Sequence, residues 1–350
     1  MNLVWPRVRG EPQVEARIRS RSEDFLVCEQ LGFEPEGEGE HVFLHLQKRD
    51  LNSAELVQRV AVLSKVAARD IGISGLKDRN AVTSQWLSVG MAGRAEPDWQ
   101  ALQSDGKVQL LAHKRHRRKL RRGVHKANRF SLRLRGLKGD LADLETRLRR
   151  VRDAGVPNYF GPQRFGRGGS NLVQARRWMA SRHSRLSRQK RGLLLSALRA
   201  ELFNCLLAAR VEARSWAQVR RGDVCLLRGT RSFFACEQVT ADIEQRAAHG
   251  DLHVGLPLWG IGEWPPGSDG EHKWRERLAE QADVCEFLEN AGLELAFRSA
   301  RLLVDDFCWR FCDDGDLQLD FTLGAGAYAT ALLGELVRYK EDVGSGNSSD

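Results

Sequence analysis

A chain of 350 residues with 42% hydrophobic and 29% charged side chains is long enough for two domains and apolar enough to bury real cores, which excludes a disordered polymer. No apolar run approaches the length of a bilayer crossing, and the opening MNLVWPRVRGEPQ lacks the apolar segment of a secretion signal, so neither a membrane protein nor an exported one is expected. The net charge is +9, and the seven cysteines (28, 205, 225, 236, 285, 308 and 312) are odd in number and scattered, which argues against a disulfide framework and for free thiols in a reducing cytoplasm.

Taken in chain order, DFLVCEQ and HVFLHLQ alternate apolar and polar positions on either side of the turn-like GFEPEGEGE, and residues 14–48 read as strands. Residues 52–70 read as a helix with Ser53 as N-cap, Leu56, Val57, Val60, Leu63 and Val66 on one face, and Gly72 at its C-terminal end. A short strand through Ile71 and Ile73 follows, then a loop, then a strand running through Trp86 to Val89. NRFSLRLR alternates cleanly, with Phe130, Leu132 and Leu134 on one face and Asn128 at the end of that face. Asp140 caps a helix whose stripe is Leu141, Leu144, Leu148 and Val151. From residue 155 to about 301 the texture changes. NYFGPQRFGRGGSN opens this region, and helices are expected around 171–182, 193–213 and up to Asn290. FCWRFC and LQLDFTL then flank the acidic turn DDGD as a hairpin. The helix ALLGELVRY comes last, before the polar tail GSGNSSD. A domain inserted at 155–301 into another built from 1–154 and 302–343, with a disordered tail at 344–350, accounts for this order.

The positive charge is concentrated. HKRHRRKLRRGVHKANR, residues 113–129, holds nine Lys or Arg and no acid, and RRWMASRHSRLSRQKR, residues 176–191, holds seven and no acid. Such runs are usually solvated faces or tails, but both lie between patterned segments. Basic patches on a folded body most often meet nucleic acid.

Metal chemistry finds little support. Cys308 and Cys312 read as core packing in a strand, and His41 with His45 lacks accompanying ligands. GRGGSN lacks the Gly-Lys-Ser/Thr ending of a phosphate-binding loop. Asp305–Asp306 and Asp313–Asp314 are a weak magnesium candidate, and turn chemistry explains the second pair more simply. More distinctive is SGLKDRNAVTSQW, residues 74–86, where Asp78 stands between Lys77 and Arg79. The plain alternative is a turn residue satisfied by its neighbours. The functional alternative is a carboxylate that nearby cations keep ionised, unsuited to proton abstraction near neutrality but suited to nucleophilic work, with the same cations free to touch phosphate.

GLKDRNAVTSQW resembles the Gly-x-Lys-Asp-x-x-Ala-Val-Thr-x-Gln-Trp signature of the TruD family of tRNA pseudouridine synthases. SEDFLVCEQLGFEPEGEGEH, HKRHRRKLRRGVHKANRFSL, GVPNYFGPQRFGRGGSNL, QKRGLLLSALRAELFN, LPLWGIGEW and LGAGAYAT look like family segments in family order, from about residue 14 to residue 338. The resemblance implies an α+β catalytic domain on a mixed, largely antiparallel sheet drawn from both chain ends. An α/β TRUD domain is inserted into it, with RNA held in the cleft between them. It implies isomerisation of uridine 13 in the D arm of tRNA to pseudouridine, without metal or cofactor, with the nucleophile at Asp78. Carried over residue by residue, Phe25, Arg19, Lys77, Asn128, Phe130 and Tyr328 become candidate substrate-binding residues. Ala127 replaces a family glycine, Ala327 a serine and Tyr328 a phenylalanine; Gly334 stands where arginine is usual. Parity along the strand favours core packing for Phe130. The expected partner is tRNA, held by both basic runs, with a cytoplasmic monomer needing neither membrane nor protein partner. Two other classes remain distinguishable. A silent RNA-binding protein would tolerate Asp78→Asn, and a magnesium nuclease would need Asp305 or Asp306 beside Asp78 and would stop in EDTA.

Overall fold

The computed structural model describes residues 4–181 and 185–342. The tail expected at 344–350 lies outside them, as do residues 182–184 of the second basic run. The chain divides into two compact units. Of the described residues, the sheet unit takes 13–148, 304–326 and 337–342; the inserted unit takes 4–12, 149–303 and 327–336. The sequence reading assigns residues 1–12 and 327–336 to the sheet domain, but 4–12 and 327–336 group with the insertion. Tertiary contacts that no local pattern announces hold them there: the Tyr159 hydroxyl donates to the Pro6 carbonyl oxygen at 3.3 Å, and Arg164 Nε donates to the Tyr328 hydroxyl at 2.9 Å.

Alternation builds the sheet unit. β1 (Val14–Ile18) and β2 (Phe25–Gln30) bury every second residue, and β3 (His41–Arg49) carries Leu44, Leu46 and Lys48 inward. α1 (Ser53–Ser64) is capped by Asn52, whose side chain accepts from the Glu55 N–H at 2.8 Å. Ser53, the expected cap, lies one residue inside. The helix also ends early, at Lys65 in the left-handed region. Gly72 therefore does not terminate it but belongs to β4 (Gly72–Ile73), where a Cβ would fall 2.4 Å from the Leu120 carbonyl oxygen. β5 (Val82–Gly90), β6 (Val108–His116) and β7 (Ala127–Gly139) complete this part of the chain. Asp140 caps α2 (Leu141–Ala154), accepting from the Ala142 and Asp143 N–H groups.

The inserted unit opens with β8 (Val156–Pro157), which pairs with β13 (Arg301–Leu302) at its exit. Gly155, at φ +70°, lies where a Cβ would meet the Leu302 carbonyl oxygen at 2.3 Å, so glycine lets entry and exit run side by side. Between them lie α3 (Pro162–Phe165), α4 (Ser170–Ala180), α5 (Arg188–Glu212), β9 (Val224–Leu227), β10 (Phe233–Ala235), α6 (Ala241–His249), β11 (Leu252–Leu258), α7 (Gly270–Arg277), α8 (Ala282–Asn290) and β12 (Ala296–Ser299). The four strands β10, β9, β11 and β12 form one antiparallel sheet. Although α5 is long and apolar enough to cross a membrane by length and composition, it lies in the core with Leu194, Leu198, Leu202, Phe203, Leu206 and Leu207 buried.

The chain then returns. β14 (Asp305–Phe311) and β15 (Leu317–Gly324) form the expected hairpin. α9 (Ala329–Leu336) stops before Tyr339, and residues expected to continue it form β16 (Arg338–Glu341), parallel to β1. The large sheet runs β14-β15-β7-β2-β5-β3-β6, with β1 joining β16 to β7 and β4 on β5. Within this sheet, among the described residues, only β1–β16 and β2–β5 pair in parallel. The fold is thus α+β with a mixed, largely antiparallel central sheet. Cys308, expected in the core, is exposed and Cys312 half-buried, because β14 is an edge strand paired only with β15.

Candidate active site

The connection from β4 to β5 carries Asp78, and the sheet beneath it fixes the backbone. The Ser53 hydroxyl, at the first turn of α1, accepts from the Lys77 N–H at 2.9 Å and donates to Gln85 Oε1 at 2.8 Å. Lys48 reaches up from β3 and donates through Nζ to the Asp78 carbonyl oxygen at 2.6 Å. Two buried side chains thus hold the backbone on either side of the Lys77–Asp78 peptide, leaving the Asp78 side chain 44% exposed.

Its carboxylate is paired with the Arg19 guanidinium. Arg19 is itself well placed: 11% exposed, its Cζ 4.2 Å from the centroid of the Phe25 ring, its Nη1 3.3 Å from Glu341 Oε1. Its φ of +59° is unusual for a side-chain-bearing residue and clusters at functional positions. The carried-over Arg19 and Asp78 therefore meet, and Phe25 supports the arginine.

Two carried-over residues, Lys77 and Phe25, are placed otherwise than the resemblance implies, and Phe130 lies in the core as strand parity favours. Lys77 does not face a ligand. Its side chain is 6% exposed and its Nζ lies 2.5 Å from Glu29, whose own side chain is fully buried. Glu29 sits on the inward phase of β2, and its other oxygen accepts from the Trp86 N–H at 3.1 Å. Of the two cations flanking Asp78, Arg79 is the exposed one. Phe25 is 3% and Phe130 8% exposed; they meet edge to face at 6.4 Å, and Phe130 stacks on Phe321 at 5.0 Å. Inward parity makes both rings core, so neither is an open platform for a base.

Asn128 is half-buried at the start of β7. Its Nδ2 lies 3.3 Å from His125 Nε2, and His125 Nδ1 lies 2.6 Å from the Ser74 hydroxyl. Burial, with Lys77 acting in the same direction, holds the His125 imidazole below its ordinary pKa and so neutral. The amide oxygen of Asn128 is buried without a hydrogen-bond partner among the described residues. The first basic run joins this chain of contacts. The Gly123 N–H donates to the Ser74 carbonyl and the His125 N–H to its hydroxyl, each at 2.8 Å. On the same connection Arg118, Arg121 and Arg122 are exposed.

Tyr328 belongs to the inserted unit and is half-buried there. Its hydroxyl accepts from Arg164 Nε at 2.9 Å, and its ring meets Phe160 edge to face at 5.9 Å. The hydroxyl that this tyrosine adds to the family's phenylalanine is thus engaged by a neighbour. At Gly334 the space a Cβ would take is filled by the Arg7 guanidinium, 2.6 Å away, so a guanidinium does stand beside this turn of α9, supplied from the N-terminal segment. Among the described residues no group of three or more His, Cys, Asp or Glu is placed to hold a metal ion.

Sequence reasoning missed Lys48, Ser53, Ser74 and His125. A signal existed for Lys48: it shares parity with Leu44 and Leu46 on β3, a lysine in the apolar phase. Burial, partly opposed by Asp78, pulls its pKa from 10.5 down to about 8. A lysine depressed in the folded state binds fewer protons there than in the unfolded chain, so this group raises stability as pH climbs from about 8 to 10.5. Lys48→Met is expected to remove that rise, measured by urea unfolding at pH 8 and 10, and to slow turnover about tenfold, or about 1.4 kcal/mol, by releasing the Asp78 carbonyl. An unchanged pH slope would contradict the placement of this lysine.

Comparison with known proteins places this arrangement in a class that modifies RNA. The family model for tRNA pseudouridine synthase D (TruD) matches residues 7–176 and 170–336. A tRNA pseudouridine synthase D of Methylococcus capsulatus is 47% identical over 95% of this chain and 94% of its own length. Another, of Nitrosococcus oceani, is 46% identical over 95% and 93%. The crystal structure of a Methanosarcina mazei protein described as a tRNA pseudouridine synthase D covers 96% of each chain with a TM-score of 0.66 at 18% identity, a likeness of fold. The chain belongs to the TruD family of tRNA pseudouridine synthases.

Proposed function

We propose that this chain isomerises uridine 13 in the D arm of tRNA to pseudouridine, with Asp78 acting on an extruded nucleotide. One observation carries the reading: a half-exposed carboxylate, its peptide units pinned by Lys48 and Ser53, stands four residues beyond Ser74, to which an arginine-rich connection is hydrogen-bonded. Both the reactive group and a phosphate-attracting surface then belong to one rigid patch of the sheet unit.

Two first steps suit the carboxylate. In one, an oxygen of Asp78 bonds to the sugar carbon C1′ as the glycosidic bond breaks, its electron pair leaving with uracil. In the other, the carboxylate removes a sugar proton and the base departs by elimination. Either way the freed uracil turns and C5 bonds to C1′. The Asp78–C1′ bond breaks at this point in the first route, and in the second the sugar carbon takes its proton back from Asp78. Loss of the C5 proton and protonation of N1 restore the ring. The isomerisation is redox-neutral, and no atom is gained or lost. Extruding a stacked base costs a few kcal/mol, and stacking on an aromatic ring returns roughly 1–3 kcal/mol. With Phe25 and Phe130 in the core, Tyr328 is proposed as that ring. Arg19 is proposed to hold the Asp78 carboxylate in place, Asn128 to bind the uracil edge, and Arg79 with the connection 113–129 to hold phosphates.

Purified protein incubated with unmodified tRNA transcripts and no added metal is expected to place pseudouridine at position 13 alone. Modification at another position would refute the site assignment, and no modification would refute the activity.

A further inference from the structure

Away from Asp78, the inserted unit contains a compact cavity of about 110 Å³ where the end of α5, the loop before β9 and α7 come together. Five cations line it against two carboxylates, and each carboxylate is already used. Asp223 Oδ1 lies 2.5 Å from Arg210 Nη2, while its Oδ2 accepts from the Arg220 N–H at 2.8 Å. Asp269 accepts from Lys273 Nζ at 2.5 Å. Arg220, Arg221 and Arg277 are exposed residues, the last with its Cζ 5.9 Å from the Trp274 ring centroid. Among the described residues, none of the three side chains is paired with either carboxylate of the cavity. At its base Arg210 is only 7% exposed, and its Nε has no hydrogen-bond partner among the described residues. A buried donor without a partner is destabilising, and an arriving acceptor removes that penalty.

The loop is built for close approach. Gly222, at φ +85°, has no room for a Cβ, which would sit 2.1 Å from Asp269 Oδ1. The Asp269 N–H donates to the Gly222 carbonyl at 2.8 Å. Glycine thus draws Arg220 and Arg221 against α7. Neither basic run read from the sequence includes these residues.

We propose that this cavity binds one phosphate group, with Arg220, Arg221 and Arg277 around it and Arg210 Nε beneath. At this size it lies well under the roughly 300 Å³ at which small-molecule pockets begin, which favours a single tetrahedral oxyanion over a whole nucleotide. That chemistry has two sources: a backbone phosphate of the RNA, or a free phosphate compound.

The test compares the intact protein with R220A/R221A and R277A, using R69A as a charge control on the sheet unit. At matched ionic strength, inorganic phosphate in place of chloride is expected to raise the Tm of the intact protein by about 3 °C, and both site variants are expected to lose that rise while R69A keeps it. If the source is RNA, R220A/R221A also weakens tRNA binding about three- to tenfold and lowers its salt slope by about one to two. If the source is a free phosphate compound, tRNA binding matches that of R69A. The absence of a phosphate-specific rise in the intact protein overturns the site, even if tRNA binding weakens, because diffuse charge alone would explain that loss. Turnover at saturating tRNA reports on Asp78 separately and is expected to be unchanged in all three variants.

Discussion

Asp78→Asn is expected to abolish pseudouridine formation, slowing it on the order of a thousandfold or more, equivalent to about 4 kcal/mol of barrier, while tRNA affinity stays within a few-fold. The substitution is close to isosteric and keeps one oxygen for Arg19, so the loop geometry set by Lys48 and Ser53 survives. What disappears is the charge and the nucleophilic oxygen pair. Arg19 loses its ionic partner but retains Glu341 at 3.3 Å and the Phe25 face, which limits collateral disorder. Binding is little affected because affinity for RNA resides mainly in phosphate contacts. Single-turnover kinetics and a filter-binding titration on one preparation separate the two quantities. Retained turnover would remove Asp78 from the chemistry and place the reactive group on another residue.

The second large effect falls on stability. Replacing Glu29 by Ala leaves the Lys77 ammonium buried without its counter-charge and the Trp86 N–H without its acceptor. Breaking a buried ion pair by removing one partner costs about 3–5 kcal/mol, a large part of a typical folding free energy of about 5–15 kcal/mol. Urea unfolding of the sheet unit is expected to show a loss in that range. The double variant Glu29→Met with Lys77→Met is expected to recover most of it, because two apolar side chains need no compensation. A loss below about 1 kcal/mol for the single variant, the level of an exposed pair, would show that Lys77 is solvated after all.

That pair also explains why Lys77 was misread. Its neighbours in sequence are Leu76 and Asp78, and nothing nearby reveals that Glu29, 48 positions earlier, occupies the adjacent strand. Period-2 patterns were legible where one face meets a core: β2, β3, β7 and the β14–β15 hairpin follow directly from alternation, and Asp140 from its capping chemistry. The strand Arg338–Glu341 has no such pattern, since it is formed by parallel pairing with β1, and its first two residues read in the sequence as the end of a helix. The end of α1 was placed at glycine by rule, whereas Lys65 adopts the left-handed turn itself. Within the site, the acid was visible because it stood among cations in a loop. The residues that hold it were not, because Lys48, Ser53 and His125 act through contacts made only after the sheet has assembled.

The parallel pairing of β16 with β1 has a bearing on synthesis. Arg19 leaves the ribosome early, but Glu341, which shares its guanidinium, is made 322 positions later. β7 likewise waits for β15 to cover its flank. A nascent chain therefore holds an incomplete sheet with an open edge until its last strand emerges, an interval in which trigger-type holding factors would have most to protect.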